Sequence, residues 1–235
     1  MVKLALVLVA AAGCSQHVYS PPAQAFSGNG VRSLDDGQQA VDLEVSRHAE
    51  LFDPDILAGG ARYRAGIGDN TEASLETAAM AVDDQGPSSA DRRIYVARAG
   101  VRTNPKKGPF AIFGGVGGGY APAGGSFAVA DGGIAIGYVN CTLVPMGSAS
   151  GFISNPINAR PVDVTDDAMY PTTSTARRTF GSVIRVGLRL SMAPSACRAG
   201  KQVPWITVGG DVTTVVDYTS HASLGGLGLG LEIPL

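Results

Sequence analysis

The sequence predicts an all-β fold, an antiparallel up-and-down β-barrel of about ten strands, with eight as the alternative, that crosses a membrane. Three observations predict it. Apolar and polar residues alternate with a period of two along successive segments, which is typical of strands. Charged residues make up only 16% of the 235 residues, against roughly 25% in a typical soluble domain. The 32 glycines fit strands that coil and tilt tightly.

The composition also excludes several classes of protein. The chain has 18 basic and 20 acidic residues and a formal net charge of -2. This balance leaves no basic surface for nucleic acid, so no nucleic-acid partner is expected. The low charge excludes a disordered, highly charged chain, and the glycines follow no collagen period.

The N-terminus predicts an exported protein. Residues 1–13 form a signal peptide with Lys3 and an apolar stretch of about nine residues, shorter than the ~20 that a membrane-spanning helix needs. The run Ala11-Ala12-Gly13-Cys14 resembles the lipobox of bacterial lipoproteins. That resemblance implies lipidation of Cys14, and Ser15 after it favours the outer membrane. The alternative is a secreted protein cut near Ala12, with a free thiol at Cys14.

The cysteine count predicts one disulfide bond. Lipidation of Cys14 leaves Cys141 and Cys197, an even pair in an oxidising compartment. We therefore expect these two residues to be bonded. Two separate buried thiols are the alternative.

The mature chain divides into a tether and one barrel domain. Residues 14–38 are rich in Pro, Ser, Gly and Gln without an apolar period, which is typical of a tether. Residues 39–235 alternate and form the barrel domain. We place its strands near 39–47, 56–67, 71–82, 92–102, 109–119, 126–139, 179–191, 203–216 and 224–235, and a weaker segment at 142–153 supplies the tenth.

Charged residues share one face of these strands and apolar residues occupy the other. A soluble sandwich would place the charges in water, whereas a membrane barrel places them in the lumen. Strand lengths of about ten to twelve residues favour the barrel. The lumenal charges would form an ion-pair network or, alternatively, line a pore or ligand site. They are Arg62, Arg64, Glu72, Glu76, Arg98, Arg102, Arg185, Arg189, Asp211 and Glu232.

Ten strands also predict which connections share a side. From a periplasmic lipid anchor, turns at 68–70, 103–108, 140–141 and 192–202 fall on the periplasmic side, together with both paired cysteines. The longer segment 154–178 then lies outside, since such barrels have short periplasmic turns and longer external loops.

The last six residues carry a family resemblance. Gly230-Leu231-Glu232-Ile233-Pro234-Leu235 resembles the C-terminal assembly signal of outer-membrane barrels, although Leu replaces the usual terminal Phe. Together with the lipobox, the chain resembles small bacterial outer-membrane β-barrels that carry a lipoprotein signal. This implies a location in the outer membrane, with membrane lipid as a partner.

The sequence predicts no metal site and no cofactor. The three histidines have no metal-ligand spacing, and the glycine-rich stretch at 114–120 fails the phosphate-loop patterns and suits a strand whose side chains must stay small. His221-Ala222-Ser223 resembles the His-x-Ser arrangement of outer-membrane lipid A deacylases. In this chain we place it in a Gly/Ser loop, where a solvated histidine beside a turn serine explains it more simply.

The sequence therefore predicts an outer-membrane β-barrel lipoprotein with a structural or surface-interaction role and no assigned catalytic residue. Two alternatives stay open. One is a lipid-tethered periplasmic β-domain that binds a small apolar ligand, and the other is a lipid-modifying barrel enzyme that uses His221 and Ser223.

Overall fold

The computed structural model describes residues 31–49, 55–83, 93–105, 108–138, 140–163, 173–216 and 221–235. Within these residues strands dominate, and one short helix, α1 (Pro194–Arg198), precedes the last two strands. The strands are β1 (Gln39–Ala49), β2 (Asp55–Gly68), β3 (Thr71–Asp83), β4 (Arg93–Thr103), β5 (Phe110–Ala121), β6 (Gly125–Gly137), β7 (Leu143–Pro156), β8 (Pro161–Asp163), β9 (Thr173–Thr175), β10 (Thr179–Ser191), β11 (Trp205–Val216) and β12 (His221–Pro234).

Ten of these strands close into one antiparallel barrel, in the order β1-β12-β11-β10-β7-β6-β5-β4-β3-β2. The first and last strands pair from Ala40 opposite Pro234 to Ala49 opposite Gly225, and the Leu235 N–H donates to Gln39 O at 3.1 Å. Closure leaves no free sheet edge among the ten. The prediction of ten strands is confirmed, the alternative of eight is wrong, and the weak segment near 142–153 is β7.

The barrel is apolar outside and polar inside, the reverse of a soluble domain. On β10, Ile184, Val186 and Leu188 are exposed, while the interleaved Arg185 and Arg189 are buried. This distribution suits lipid outside and a polar interior, so the fold is an outer-membrane-type β-barrel. Ten residue steps along β10 at ~3.3 Å, tilted by about 40°, give an apolar band of roughly 25 Å.

Among the described residues most exposed aromatic side chains lie near strand ends, Tyr63 within β2 being the exception. Tyr95 and Tyr120 are exposed and directly paired near one end of the barrel, and Phe180 is the second residue of β10 at the same end. Phe110 and Tyr138 are exposed at the opposite end. A 6% aromatic content is therefore enough for two thin interfacial belts.

The two ends of the barrel differ. One end, the turn end, holds the chain segment 31–38, the connections 69–70, 104–109, 138–142 and 192–204, and the C-terminus. At the other, the loop end, β1, β3, β5, β7 and β11 end and β2, β4, β6, β10 and β12 begin, and the small β8–β9 hairpin follows β7 in the chain. The turns predicted to share a side do so.

Residues 31–38, assigned above to the tether, belong to the barrel. Val31 is fully buried against Ala111, Phe113 and Ala135 at the turn end, and its carbonyl accepts a 2.8 Å hydrogen bond from Asn104 Nδ2. The segment carries no alternation because it crosses the barrel end and joins no strand. The barrel domain therefore begins at or before Val31, and its predicted start at residue 39 is corrected.

The predicted disulfide is present. Cys141, in the connection between β6 and β7, is bonded to Cys197 of α1, with the two Cα atoms 5.5 Å apart. Cys197 packs with Val144, Val203 and Trp205. The bond therefore holds the β10–β11 connection against the turn end, across the adjacent strands β7 and β10.

No helix among the described residues combines the length and the hydrophobicity needed to span a membrane. Residues 1–30, which include the predicted signal peptide and Cys14, lie outside the described ranges.

The charged interior as the candidate functional site

Inward-facing side chains divide the described interior into three layers. Near the loop end an apolar layer fills the part of the lumen beside β3, β4, β6, β7, β10 and β11; it consists of Ala78, Val96, Phe127, Val129, Phe152, Val183 and Val215. Val31, Leu34 and their neighbours cover the turn end. Between them lies a layer of arginines and carboxylates, which we call the charged layer. Side chains therefore cover much of the barrel cross-section on both sides of the charged layer.

Arg64 connects the charged layer. Its Nε and Nη2 donate to Asp42 at 2.9 and 3.2 Å, its Nη1 donates to Glu72 at 3.1 Å, and its Nη2 also contacts Glu232. The neighbouring Arg62 donates from Nε to the same Asp42 at 2.6 Å. The carboxylates therefore satisfy several guanidinium donors each, as buried charges require.

Glu72 joins the charged layer to the N-terminal segment. One carboxylate oxygen lies 3.4 Å from Arg102 Nη1, and the other accepts a hydrogen bond of 2.9 Å from the Leu34 N–H. A buried backbone donor of the segment is thereby satisfied by a strand carboxylate. The segment is fixed to the barrel interior by polar as well as apolar contacts.

Arg98 of β4 reaches past one strand to the next. Its Nε and Nη2 each donate to Asp131 of β6 at 2.6 Å, and its Nη1 donates to Glu76 at 2.8 Å. The intervening β5 presents glycine here: a Cβ on Gly115 would lie 2.6 Å from Arg98 Cζ. The glycine-rich segment is a strand, as the sequence indicates, and its glycines make room for a guanidinium.

A small cavity of about 50 Å³ lies at the turn end of the charged layer, beside Arg32, Leu34, Arg64, Arg189, Trp205 and Glu232. Arg189 Nη2 donates to Glu232 at 2.5 Å, and its guanidinium lies 5.0 Å above the Trp205 ring. Glu232 therefore already neutralises part of the positive charge beside this cavity.

A second polar cluster lies on β1, β12 and β11. Ser46 Oγ is 3.0 Å from His48 Nε2, and His48 Nδ1 is 3.4 Å from Asp211 Oδ1. Thr213 Oγ1 donates to the other carboxylate oxygen of Asp211 at 3.2 Å. Arg185, the register partner of Asp211, is within Coulombic reach of it.

All ten charged residues named from the sequence face the interior, and nine of them are buried; Glu232 is partly exposed. Sequence reasoning missed Asp42, Glu44 and His48 on β1 and Asp131 on β6. The β1 residues carry the same alternating signal, since they interleave with the exposed Leu43 and Val45. Asp131 stands alone among Gly and Ala, so alternation gives no comparable signal for it.

The charges of this interior nearly cancel. Within the described ranges the inward faces carry six arginines, at 62, 64, 98, 102, 185 and 189, and seven carboxylates, at 42, 44, 72, 76, 131, 211 and 232. Because the opposite charges neutralise one another, their attraction offsets much of the desolvation free energy that burial costs. The arrangement is that of an ion-pair network within a narrow barrel.

His221 and Ser223 lie in a strand and not in the loop predicted for them. His221 opens β12 opposite Val216, and Ser223 is exposed. The side chain of His221 lies outside the described atoms. Among the described residues no group of three or more His, Cys, Asp or Glu could hold a metal ion.

Comparison with protein families finds no match, and no curated protein matches either. Similar solved structures include the N-terminal β-barrel domain of Pseudomonas aeruginosa OprF, at 12% identity over 84% of this chain and 100% of that chain, with a TM-score of 0.36. The β domain of the Bordetella autotransporter BrkA is 11% identical over 84% and 99%, with a TM-score of 0.49. At these values the fold assignment depends on the strand order and register of this chain.

Proposed function

We propose that the chain is an outer-membrane lipoprotein whose barrel has a structural or surface-interaction role and does not conduct solutes. The exposed apolar band around a charged interior is the observation that carries this proposal. In water such a surface would be an aggregation hazard, whereas in a bilayer it is the surface that lipid solvates.

The filled lumen supports a role other than transport. The apolar layer at Phe127 and Phe152, the charged layer, and Val31 at the turn end follow one another along the barrel axis. Barrels of this size have an interior that side chains can fill. The surface offered to partners is then the loop end, outside the membrane.

The course of the N-terminal segment supports a lipid anchor at Cys14. Val31, the first described residue, lies at the turn end, 17 positions after Cys14 in the sequence. Short turns lie on the periplasmic side of outer-membrane barrels. An anchor at Cys14 would then insert into the periplasmic leaflet of the same membrane.

Gel migration tests the membrane barrel. We expect the extracted chain to migrate faster before boiling than after, and to stay with outer-membrane fractions after a high-salt wash or cleavage of the lipid anchor. Release by either treatment alone would support the tethered periplasmic β-domain that binds an apolar ligand and would overturn the membrane barrel.

Metabolic labelling with palmitate tests the anchor separately. Wild-type chain should incorporate label and Cys14→Ala should not, while both keep the heat-dependent gel shift. Palmitate label retained in Cys14→Ala would exclude Cys14 as the site of lipidation.

Conductance tests the closed lumen. The folded wild type in a planar bilayer should show no stable channel steps in molar KCl. Regular steps from a preparation that is pure and folded would contradict a filled interior.

A further inference from the structure

We propose that Ser46, His48 and Asp211 form a serine-nucleophile site inside the barrel, open toward the loop end, that accepts small carboxylic esters. The proposal goes beyond the structural role above and does not depend on it. Ser46 Oγ lies 3.0 Å from His48 Nε2, and His48 Nδ1 lies 3.4 Å from Asp211 Oδ1. Serine on Nε2 and a carboxylate on Nδ1 is the arrangement by which a histidine activates a hydroxyl.

The barrel register builds this cluster from three neighbouring strands. His48 of β1 pairs with Gly226 of β12, which pairs with Asp211 of β11. A Cβ on Gly226 would lie 2.2 Å from His48 Nδ1 and 2.4 Å from Asp211 Oδ1. Only a residue without a side chain lets the imidazole meet the carboxylate across β12.

The same register places glycines beside the serine. Ser46 pairs with Gly228, and Gly228 pairs with Gly209 on the next strand. These two neighbouring positions therefore add no side chain beside the hydroxyl. Space beside a nucleophile is what an acyl group needs in order to reach it.

Asp211 is held in place by its own contacts. Thr213 Oγ1 donates to its Oδ2 at 3.2 Å, while its Oδ1 lies 3.4 Å from His48 Nδ1, a charge contact that has not closed to a hydrogen bond. Its side chain is 2% exposed. We assign Asp211 as a positioning residue that selects the Nδ1–H tautomer and stabilises the imidazolium.

The reaction that this geometry supports is acyl transfer to serine. Ser46 Oγ attacks the ester carbonyl carbon while its proton passes to His48 Nε2. Collapse of the tetrahedral intermediate breaks the bond to the alkoxy oxygen, which leaves as the alcohol with the proton from His48. Water then hydrolyses the acyl-serine, with His48 again taking and returning a proton.

Access comes from the loop end and limits the substrate to a small or slender one. His48 is the last inward residue of β1, and its side chain is 18% exposed. Ser46 lies one inward position deeper and is buried. Because the hydroxyl is buried behind a mostly buried imidazole, we expect an ester with a short, unbranched acyl group to react and a branched or bulky one not to.

A small organophosphorus probe, diisopropyl fluorophosphate, tests the site on the folded full chain. Attack by Ser46 Oγ forms the phosphorus–oxygen bond, fluoride leaves, and His48 takes the proton. We expect one covalent adduct, located on Ser46 by peptide mass spectrometry, and none in boiled protein. A folded wild type without an adduct at Ser46, or with one at Ser223 in its place, would overturn the proposal.

Variants separate catalysis from structure. His48→Gln, which keeps a polar side chain, should slow labelling of Ser46 roughly 100-fold or more. Asp211→Ala should slow it as well, and Asp211→Glu should restore part of the rate, which a residue needed only for folding would not do. Ser182→Ala, an exposed serine on the outer face of β10, is the matched control and should label like wild type. Equal labelling rates in wild type and in folded His48→Gln would contradict the proposal.

Discussion

Arg98 on β4 holds Asp131 on β6 through two hydrogen bonds of 2.6 Å, although β5 runs between the two strands. The contact exists because Gly115 of β5 is the register partner of Asp131. His48 and Asp211 meet across Gly226 in the same way. Part of the high glycine content is thus explained: interior glycines let polar side chains interact two strands apart.

Adding a methyl group at Gly115 should destabilise the barrel. In Gly115→Ala the new Cβ would lie 2.6 Å from Ala99 O, a backbone atom that can yield only if the strand moves. We expect the free energy of unfolding in lipid vesicles, measured by urea titration, to fall by about 1–3 kcal/mol.

Gly225→Ala is the matched control, because a Cβ there meets nothing within 4 Å. Its unfolding free energy should stay within about 0.5 kcal/mol of wild type. Equal losses for the two variants would show that strand glycines matter here only through backbone propensity.

Removing the Asp131 carboxylate should cost more than removing the whole pair. Asp131→Ala leaves the buried Arg98 with Glu76 alone, and breaking one side of a buried pair costs about 3–5 kcal/mol. Arg98→Met combined with Asp131→Ala should recover part of that loss in the same urea titration, because the buried Glu76 loses its hydrogen bond from Arg98 but stays 3.9 Å from Arg62. A double variant as unstable as the sum of the single variants would indicate that the two residues do not interact.

Much of the barrel could be predicted from local pattern. Alternation in segments such as β10 and β12 reveals which residues face inward, because side chains alternate strictly along a strand. Nine strands followed from alternation and the tenth from the even strand number that bacterial barrels normally have. The disulfide followed from an even cysteine pair in an oxidising compartment. These features depend on residues close in sequence or on simple counting.

The partners of the interior charges could not be predicted. Arg98 and Asp131 are 33 residues apart, and their contact depends on the register of three strands and on the glycine between them. The docking of the N-terminal segment on the barrel could not be predicted for a related reason. Leu34 and Val31 are fixed through backbone N–H and C=O groups, which every residue carries, so the sequence holds no distinctive sign of those bonds.

Loss of the disulfide should weaken the barrel without abolishing its fold. The bond joins positions 56 residues apart, which corresponds to about 4 kcal/mol on the chain-entropy model. We expect the free energy of unfolding of the double variant Cys141→Ser and Cys197→Ser, measured by urea titration, to fall by up to that amount. Wild type treated with dithiothreitol should match it, and a double variant as stable as oxidised wild type would contradict this assignment.

A side chain at Gly66 should displace the N-terminal segment. A Cβ there would lie 1.9 Å from Asp35 O, whereas at Gly68, two residues further along the same strand, it would meet nothing within 4 Å. With Val31→Cys as a reporter, a water-soluble maleimide should react quickly in the Gly66→Ala background and slowly with Gly68→Ala. Equal reactivity in both backgrounds would show that the segment tolerates the methyl group.

The orientation of β10 toward lipid can be tested with arginine at two depths. Val186 is exposed on the outer face near the middle of β10, and Met192 is exposed just beyond its turn end. Arginine at the bilayer midplane costs about 2–4 kcal/mol, falling to about 0–1 near the interface. Val186→Arg should therefore lower the unfolding free energy in vesicles by the larger amount and Met192→Arg by the smaller. Small and equal effects would mean that water, and not hydrocarbon, surrounds the middle of this strand.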